Sequence, residues 1–216
     1  MVDLKASASP VALIGDVVRS RDHDDRQALH DGLSQALALA ASIVTAPDPL
    51  VITVGDEFQG VYASLGEALH ASFLVRAALH PHADVRFGLG RGSVETLDPV
   101  RGIHDGPAYW AARDAITEVE QRAGRAQTRT ARTAYVGGPD DLGTTDAVQA
   151  ALDCLDFVVG SMTTTSREIL GGLMLGHTQH DLARRLGVSA SAVSQRVRRD
   201  GIGIALESMQ RLGGLP

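Results

Sequence analysis

Leu50-Val51-Ile52-Thr53-Val54-Gly55-Asp56-Glu57-Phe58-Gln59-Gly60-Val61-Tyr62 is the stretch on which the fold turns. Leu50 to Val54 and Phe58 to Tyr62 are strand-like, and the Gly55-Asp56-Glu57 break between them is a hairpin signal. Upstream, Val11-Ala12-Leu13-Ile14 is a continuous apolar run that stops at Gly15-Asp16, as suits a buried central strand ending in a polar loop. Between the two, Leu29, Leu33, Ala36, Leu37, Ala40 and Val44 recur at helical spacing until Ala46-Pro47-Asp48-Pro49 halts them.

Downstream, Leu65, Ala68, Leu69 and Phe73 mark a second helix, and Val85, Phe87 and Leu89 alternate with Arg86, Gly88 and Gly90. That alternation predicts a half-buried strand whose glycines let something approach the backbone closely. A loop rich in glycine and proline follows it. A third helix opens near Pro107 with the stripe Ala112, Ile116, Val119 and Ala123, and Thr130 to Val136 reads as a last strand before Gly137-Gly138-Pro139. The order β α β β α β α β predicts an α+β, ferredoxin-like antiparallel sheet with helices on one face. In that topology the end of the first strand lies beside the start of the second hairpin arm, so Asp16 and Asp56 become neighbours.

The chain has 216 residues, 44% of them hydrophobic, enough for one sizeable core and a small second unit. The expected division is an α+β domain over 1–143, a connecting helix over 144–162 and a C-terminal unit over 163–216. One cysteine, Cys154, excludes an intrachain disulfide and is read as a small buried hydrophobe. No stretch approaches a membrane span and no apolar leader follows a basic start, so the expectation is a cytoplasmic protein without membrane contact. The net charge of -6 argues against a general nucleic-acid coat, but it is unevenly spread. Residues 161–216 hold 7 Arg against 4 acidic residues, a surplus of +3, while 13 basic against 22 acidic residues leave -9 on the first 160.

Two carboxylates brought together at strand ends repel each other unless a cation bridges them, which points to Mg²⁺ at Asp16 and Asp56, with Glu57 as a third oxygen donor. Against this, Gly-Asp at a hairpin is common turn chemistry, and Asp16 can equally cap the helix that follows. Arg19, Arg21 and Arg26 read either as phosphate contacts or as solvated charges near a helix start.

Ile14-Gly15-Asp16-Val17-Val18-Arg19-Ser20 resembles the first metal-binding strand of class III nucleotidyl cyclases, and Val54-Gly55-Asp56-Glu57-Phe58 resembles their hairpin and the GGDEF signature. Val85-Arg86-Phe87-Gly88-Leu89-Gly90-Arg91-Gly92 is similar to their glycine-rich strand, and Ala111-Ala112-Arg113 falls where they carry a transition-state arginine. The G-D-V-x-x-S-R opening, the G-D-E-F hairpin and the C-terminal pattern described next together look like the SatD family, over nearly the whole chain. The cyclase resemblance implies Mg²⁺ on Asp16 and Asp56, a nucleotide near Gly55, Gly88, Gly90 and Arg19, and Arg113 on the departing phosphates. Ile52 stands where cyclases carry a purine-reading lysine, and Tyr109 where they carry an asparagine. Loss of one positioned transition-state donor costs about 10²- to 10³-fold, so weak catalysis, another chemistry or binding alone is implied.

Thr178-Gln179-His180-Asp181-Leu182-Ala183-Arg184-Arg185-Leu186-Gly187-Val188-Ser189 predicts a capped helix, a tight turn at Gly187 and a second helix capped by Ser189. Leu182, Leu186, Val188, Val193 and Val197 supply apolar faces, and Ala183 is small where the helices cross. The other side of the second helix carries Ser191, Gln195, Arg198 and Arg199. With Ser189, these suit base edges and phosphates, as in a helix-turn-helix on double-stranded DNA. Arg196, nearer the apolar stripe, is a weaker candidate. The bland alternative is a helical hairpin for dimer packing. His177 and His180 read as surface residues rather than metal ligands. One such unit makes few DNA contacts, so a homodimer is expected. The functional expectations are a regulator that senses a nucleotide and binds DNA, an active nucleotidyl cyclase or nucleotidyltransferase, or association alone.

Overall fold

The computed structural model describes residues 9–98, 103–138 and 141–216. Pro139, read above as the stop after the last strand, lies outside them.

Strand β1 (Val11–Val17) is buried along nearly its whole length because helices cover both of its sides. Val11, Leu13 and Val17 face α1 (Arg26–Ile43) and α2 (Leu65–Leu79), while Ala12 and Ile14 face α3 (Pro107–Ala123). Its period-two alternation therefore meets an apolar layer on either face, which is why the sequence reads as an unbroken apolar run. The expected single helical face is corrected to two.

The sheet runs β2-β3-β1-β4-β7, with β2 (Asp48–Val54), β3 (Glu57–Tyr62), β4 (Val85–Arg91) and β7 (Thr133–Val136). β1 lies antiparallel to β3 and β4, and β3 antiparallel to β2. β7 is parallel to β4, so the sheet is mixed, not antiparallel as expected. The reason is the connection. α3 crosses from β4 to β7 on one face, and such a helical crossover returns the chain in the same direction. Within the expected loop, β5 (Glu95–Asp98) and β6 (Ile103–Asp105) form a two-stranded ribbon. His104 pins this ribbon to β2, with Nε2 3.2 Å from Asp48 Oδ2 and Nδ1 3.2 Å from Thr96 Oγ1.

Local signals set the helix starts. Asp25 accepts the Ala28 N–H at 2.9 Å at the head of α1, and Ser64 and Glu67 close a capping box on α2. Pro107 sits in the first turn of α3, where its missing N–H costs nothing. On the α1/α2 face Phe58 and Phe87 meet edge to face, centroids 6.1 Å apart. Each large side chain fully buried there contributes roughly 1.5–3 kcal/mol of transfer free energy.

Five further helices complete the chain: α4 (Leu142–Ser161), α5 (Thr164–Met174), α6 (Gln179–Leu186), α7 (Ala190–Arg199) and α8 (Ile202–Leu212). Their apolar faces do not form a separate core. Ile169, Leu182, Val193, Ile202 and Leu212 belong to the same cluster as Leu69, Leu74 and Val159. A buried ionic network lies between α2, α4 and the start of β7. Arg76 binds Asp84 at 2.9 Å and Asp156 at 2.6 Å, Arg132 binds Asp84 at 2.7 Å, and Asp156 accepts the Arg132 and Thr133 N–H groups at 2.7 and 2.8 Å. Burial would raise the Asp84 carboxyl, but Arg76 and Arg132 outweigh it and hold it down to about 2. Cys154 is exposed, not buried as expected, because it falls on the outer side of α4 between the inward-facing Leu152 and Leu155.

Candidate functional sites

The hairpin turn and the end of β1 come together as the topology requires. Phe58 pairs with Gly15, and the Asp56 carboxylate accepts the Val17 N–H at 3.2 Å. Asp16 projects to the α3 face and forms a two-pronged pair with Arg86 of β4, Nε to Oδ1 2.9 Å and Nη2 to Oδ2 2.6 Å. Arg86 also reaches Glu120 of α3 at 3.0 Å. Beside them, both Glu57 oxygens accept from the Arg113 guanidinium, Nη2 to Oε1 at 2.8 Å. Both guanidinium groups are pushed up in pKa, Arg86 first by its hydrogen bond to Asp16 and Arg113 first by its hydrogen bond to Glu57, with Asp16 adding to the latter.

This group thus holds four carboxylates, Asp16, Asp56, Glu57 and Glu120, against two guanidiniums, Arg86 and Arg113, and two negative charges are left over. The surplus and the all-oxygen donor set fit a hard divalent cation, which needs only one or two protein carboxylates. Among the described residues no three ligand-type side chains converge as a ready cation cage. Asp16 and Glu57 are each engaged by an arginine, and a cation there competes with those guanidiniums.

Arg86 and Glu120 were missed in the sequence. The signal for Arg86 was present, since it lies directly opposite Asp16 in the β1–β4 ladder and on the same face as Gly88 and Gly90. The glycines do admit a close neighbour, helix α3. A Cβ at Gly88 would stand 2.3 Å from the Ala112 carbonyl oxygen, and one at Gly90 2.2 Å from the Ala112 nitrogen. The close approach they permit is taken by the α3 backbone, not by a ligand. Gly55, by contrast, has φ +65 in the open hairpin turn with nothing near its missing side chain. Arg19 is exposed and left-handed, φ 55, at the start of a short 3-10 turn after β1. Arg21 and Arg26 are also exposed.

Ile52 does not face this site. It pairs with Phe58 and packs into the α1/α2 core, so alternation puts it on the opposite side of the sheet from Asp16. Tyr109 is buried in the α3 layer with no hydrogen-bond partner for its hydroxyl among the described residues. Burial, then the nearby Asp48 carboxylate, pushes that hydroxyl up to about 12, so it stays protonated.

The second candidate site is built from α6 and α7. Thr178 and Asp181 close a capping box on α6, Gly187 ends it in the left-handed conformation at φ 67, and Ser189 accepts the Ala192 N–H at 3.1 Å to start α7. Leu182, Ala183 and Val193 are buried, which fixes one face of each helix inward. Ser189, Ser191, Gln195, Arg198 and Arg199 are all exposed, and Arg196 turns back to Asp200 at 3.7 Å. Ser189 is committed to its cap and to a 3.0 Å contact with Ser191, which leaves Gln195, Arg198 and Arg199 as the outward groups with no bond to another described residue. His177 and His180 are exposed, and among the described residues neither belongs to a cluster of metal-ligating side chains.

The family model described as SatD family matches residues 10–213, nearly the whole chain. No curated protein matches it.

Proposed function

This chain belongs to the SatD family, and we propose that it is a DNA-binding transcriptional regulator whose α/β layer binds a nucleotide with Mg²⁺. In this reading α6 and α7 are a helix-turn-helix, α7 enters the major groove of double-stranded DNA, and two copies of the chain bind as a homodimer in the cytoplasm. The observation that carries it is the outward face of α7. Gln195, Arg198 and Arg199 stand exposed on a helix whose opposite face is anchored by Val193, behind a left-handed turn at Gly187. The strand order β2-β3-β1-β4 supports a ferredoxin-like, nucleotidyl cyclase-like layer, with β7 added at its edge. No described helix is long and apolar enough to cross a membrane.

Titrating the full chain into labelled genomic duplexes by fluorescence anisotropy tests the reading. Affinity should fall steeply with salt, and the double change Arg198→Ala, Arg199→Ala, which removes two cations from each of two copies, should reduce the log–log salt slope by about 4. An unchanged slope removes the DNA assignment. Repeating the titration with nucleotides plus Mg²⁺ tests sensing, because a ligand shifts the geometry only if it distinguishes two states.

The carboxylate surplus beside Arg113 favours a second reading, an active nucleotidyl cyclase or nucleotidyltransferase. Asp16 and Asp56 would hold the cation, and bound Mg²⁺ would supply charge neutralisation at the phosphates. Arg113 would turn from Glu57 to the departing phosphates, while Tyr109, kept protonated, offers a neutral donor only. Product formation from ATP, GTP, CTP or UTP with Mg²⁺ or Mn²⁺, lost in Asp56→Ala, would establish it. Turnover that survives this change would not belong to this site.

A further inference from the structure

A groove of about 640 Å³ runs between α1, the end of α2, α5 and α6, on the side of the molecule away from the Asp16 cluster. Its volume lies in the range of small-molecule sites, roughly 300–1,000 Å³. Leu29 and Leu39 of α1, Leu175 at the end of α5 and Leu186 of α6 give it apolar walls. Gly32 leaves its floor open, since a Cβ there would meet only Leu79 Cδ2, at 4.0 Å.

Two opposite charges line the same groove, Glu168 on α5 and Arg185 on α6. They do not pair with each other, and neither makes an ion pair or hydrogen bond with any described residue. Burial pushes the His80 imidazole down, while the Thr164 carbonyl, 3.2 Å from its Nε2, and the Glu168 carboxylate act in the opposite direction.

An apolar trough flanked by one unpaired acid and one unpaired base complements a molecule with both charges and an apolar body. An apolar acid alone leaves Glu168 uncompensated, and an apolar amine alone leaves Arg185 so. We infer that this groove binds a small zwitterion with an apolar side chain, of the amino-acid or short-peptide class. Its carboxylate meets Arg185, its ammonium meets Glu168, and its side chain covers the leucines. Such a ligand bridges α1 to α6, so its influence on DNA affinity rests on the regulator reading. The binding itself does not.

Calorimetric titration of the full chain, without DNA, tests this with three probes: L-phenylalanine, 3-phenylpropanoate, which lacks the amine, and 2-phenylethylamine, which lacks the carboxylate. L-Phenylalanine should bind saturably with a Kd of about 1 mM or tighter, and each singly charged analogue about tenfold more weakly. Arg185→Met and Glu168→Gln, both surface changes, should each weaken L-phenylalanine about tenfold. Gly32→Leu, which fills the floor from within a helix, should abolish binding while the far-ultraviolet helix signal stays unchanged. Absence of saturable binding by L-phenylalanine, equal binding of either analogue, or undiminished binding in the Met and Gln variants would overturn the inference. None of these results bears on the duplex titration, so the two readings fail separately.

Discussion

Asp16 and Arg86 face each other across the β1–β4 ladder and close a two-pronged ion pair, with the Arg86 side chain 15% and the Asp16 side chain 27% exposed. The pair decides what the carboxylate can do. A partly buried, bidentate arginine holds a carboxylate far more firmly than an exposed ion pair does. In the free protein the carboxylate that sequence reading assigned to a metal is therefore saturated by a cation from its own sheet.

Removing that competitor should expose the site. Arg86→Met leaves Asp16 and Asp56 unpaired by guanidinium, and Mn²⁺ should bind it about tenfold or more tightly than the parent chain, while Asp16→Asn should abolish the gain. Calorimetry with Mn²⁺ reads both, and equal affinity in parent and Arg86→Met would show that the cluster is not a cation site.

Gly88 and Gly90 make a contrasting case, because the space they leave is filled by α3. Gly90→Val drives a side chain into the Ala112 nitrogen and the Ala108 carbonyl oxygen. Overpacking against backbone should cost about 3 kcal/mol or more, seen in chemical denaturation. A variant of unchanged stability that had lost only ligand binding would restore the role first expected of these glycines.

The turn before α7 depends on a left-handed residue. Gly187→Val places a β-branched side chain at φ 67, which should cost about 1–2 kcal/mol of stability and misalign α7. The expected readout is a lower melting temperature together with weaker duplex binding, whereas Gly55→Ala, in the distant hairpin, should leave duplex binding intact.

Asp84 sets an acid limit on the packing of α2 against β7. Its folded carboxyl lies at about 2, below the ordinary carboxylate value of 3.8, so it contributes stability above about pH 4 that is lost as pH falls through its folded value. The contribution is about 2 kcal/mol. Asp84→Asn should lower stability at pH 7 and flatten the pH dependence of denaturation midpoints between about pH 4 and pH 2. Parallel curves for the two proteins would assign the acid response to other groups.

Much of the fold is legible in the sequence. The apolar run at Val11 to Ile14, the hairpin break at Gly55-Asp56-Glu57 and the caps at Thr178 and Ser189 are local signals, and local signals survive in one dimension. They were enough to place Asp56 beside the end of β1 and to put Gln195, Arg198 and Arg199 on one side of α7. What escaped depended on partners distant in sequence. The parallel placement of β7, the covering of both sheet faces and the filling of the Gly88 and Gly90 space by α3 follow from where a helix lands, not from its own composition. Likewise Ile52 turned to the core because the ladder register fixes which side of the sheet each residue faces. The Asp16–Arg86 pair spans 70 positions and exists only through that register. Periodicity and capping chose the elements, while burial and long-range charge pairing decided which carboxylates, arginines and glycines remained free to meet a ligand.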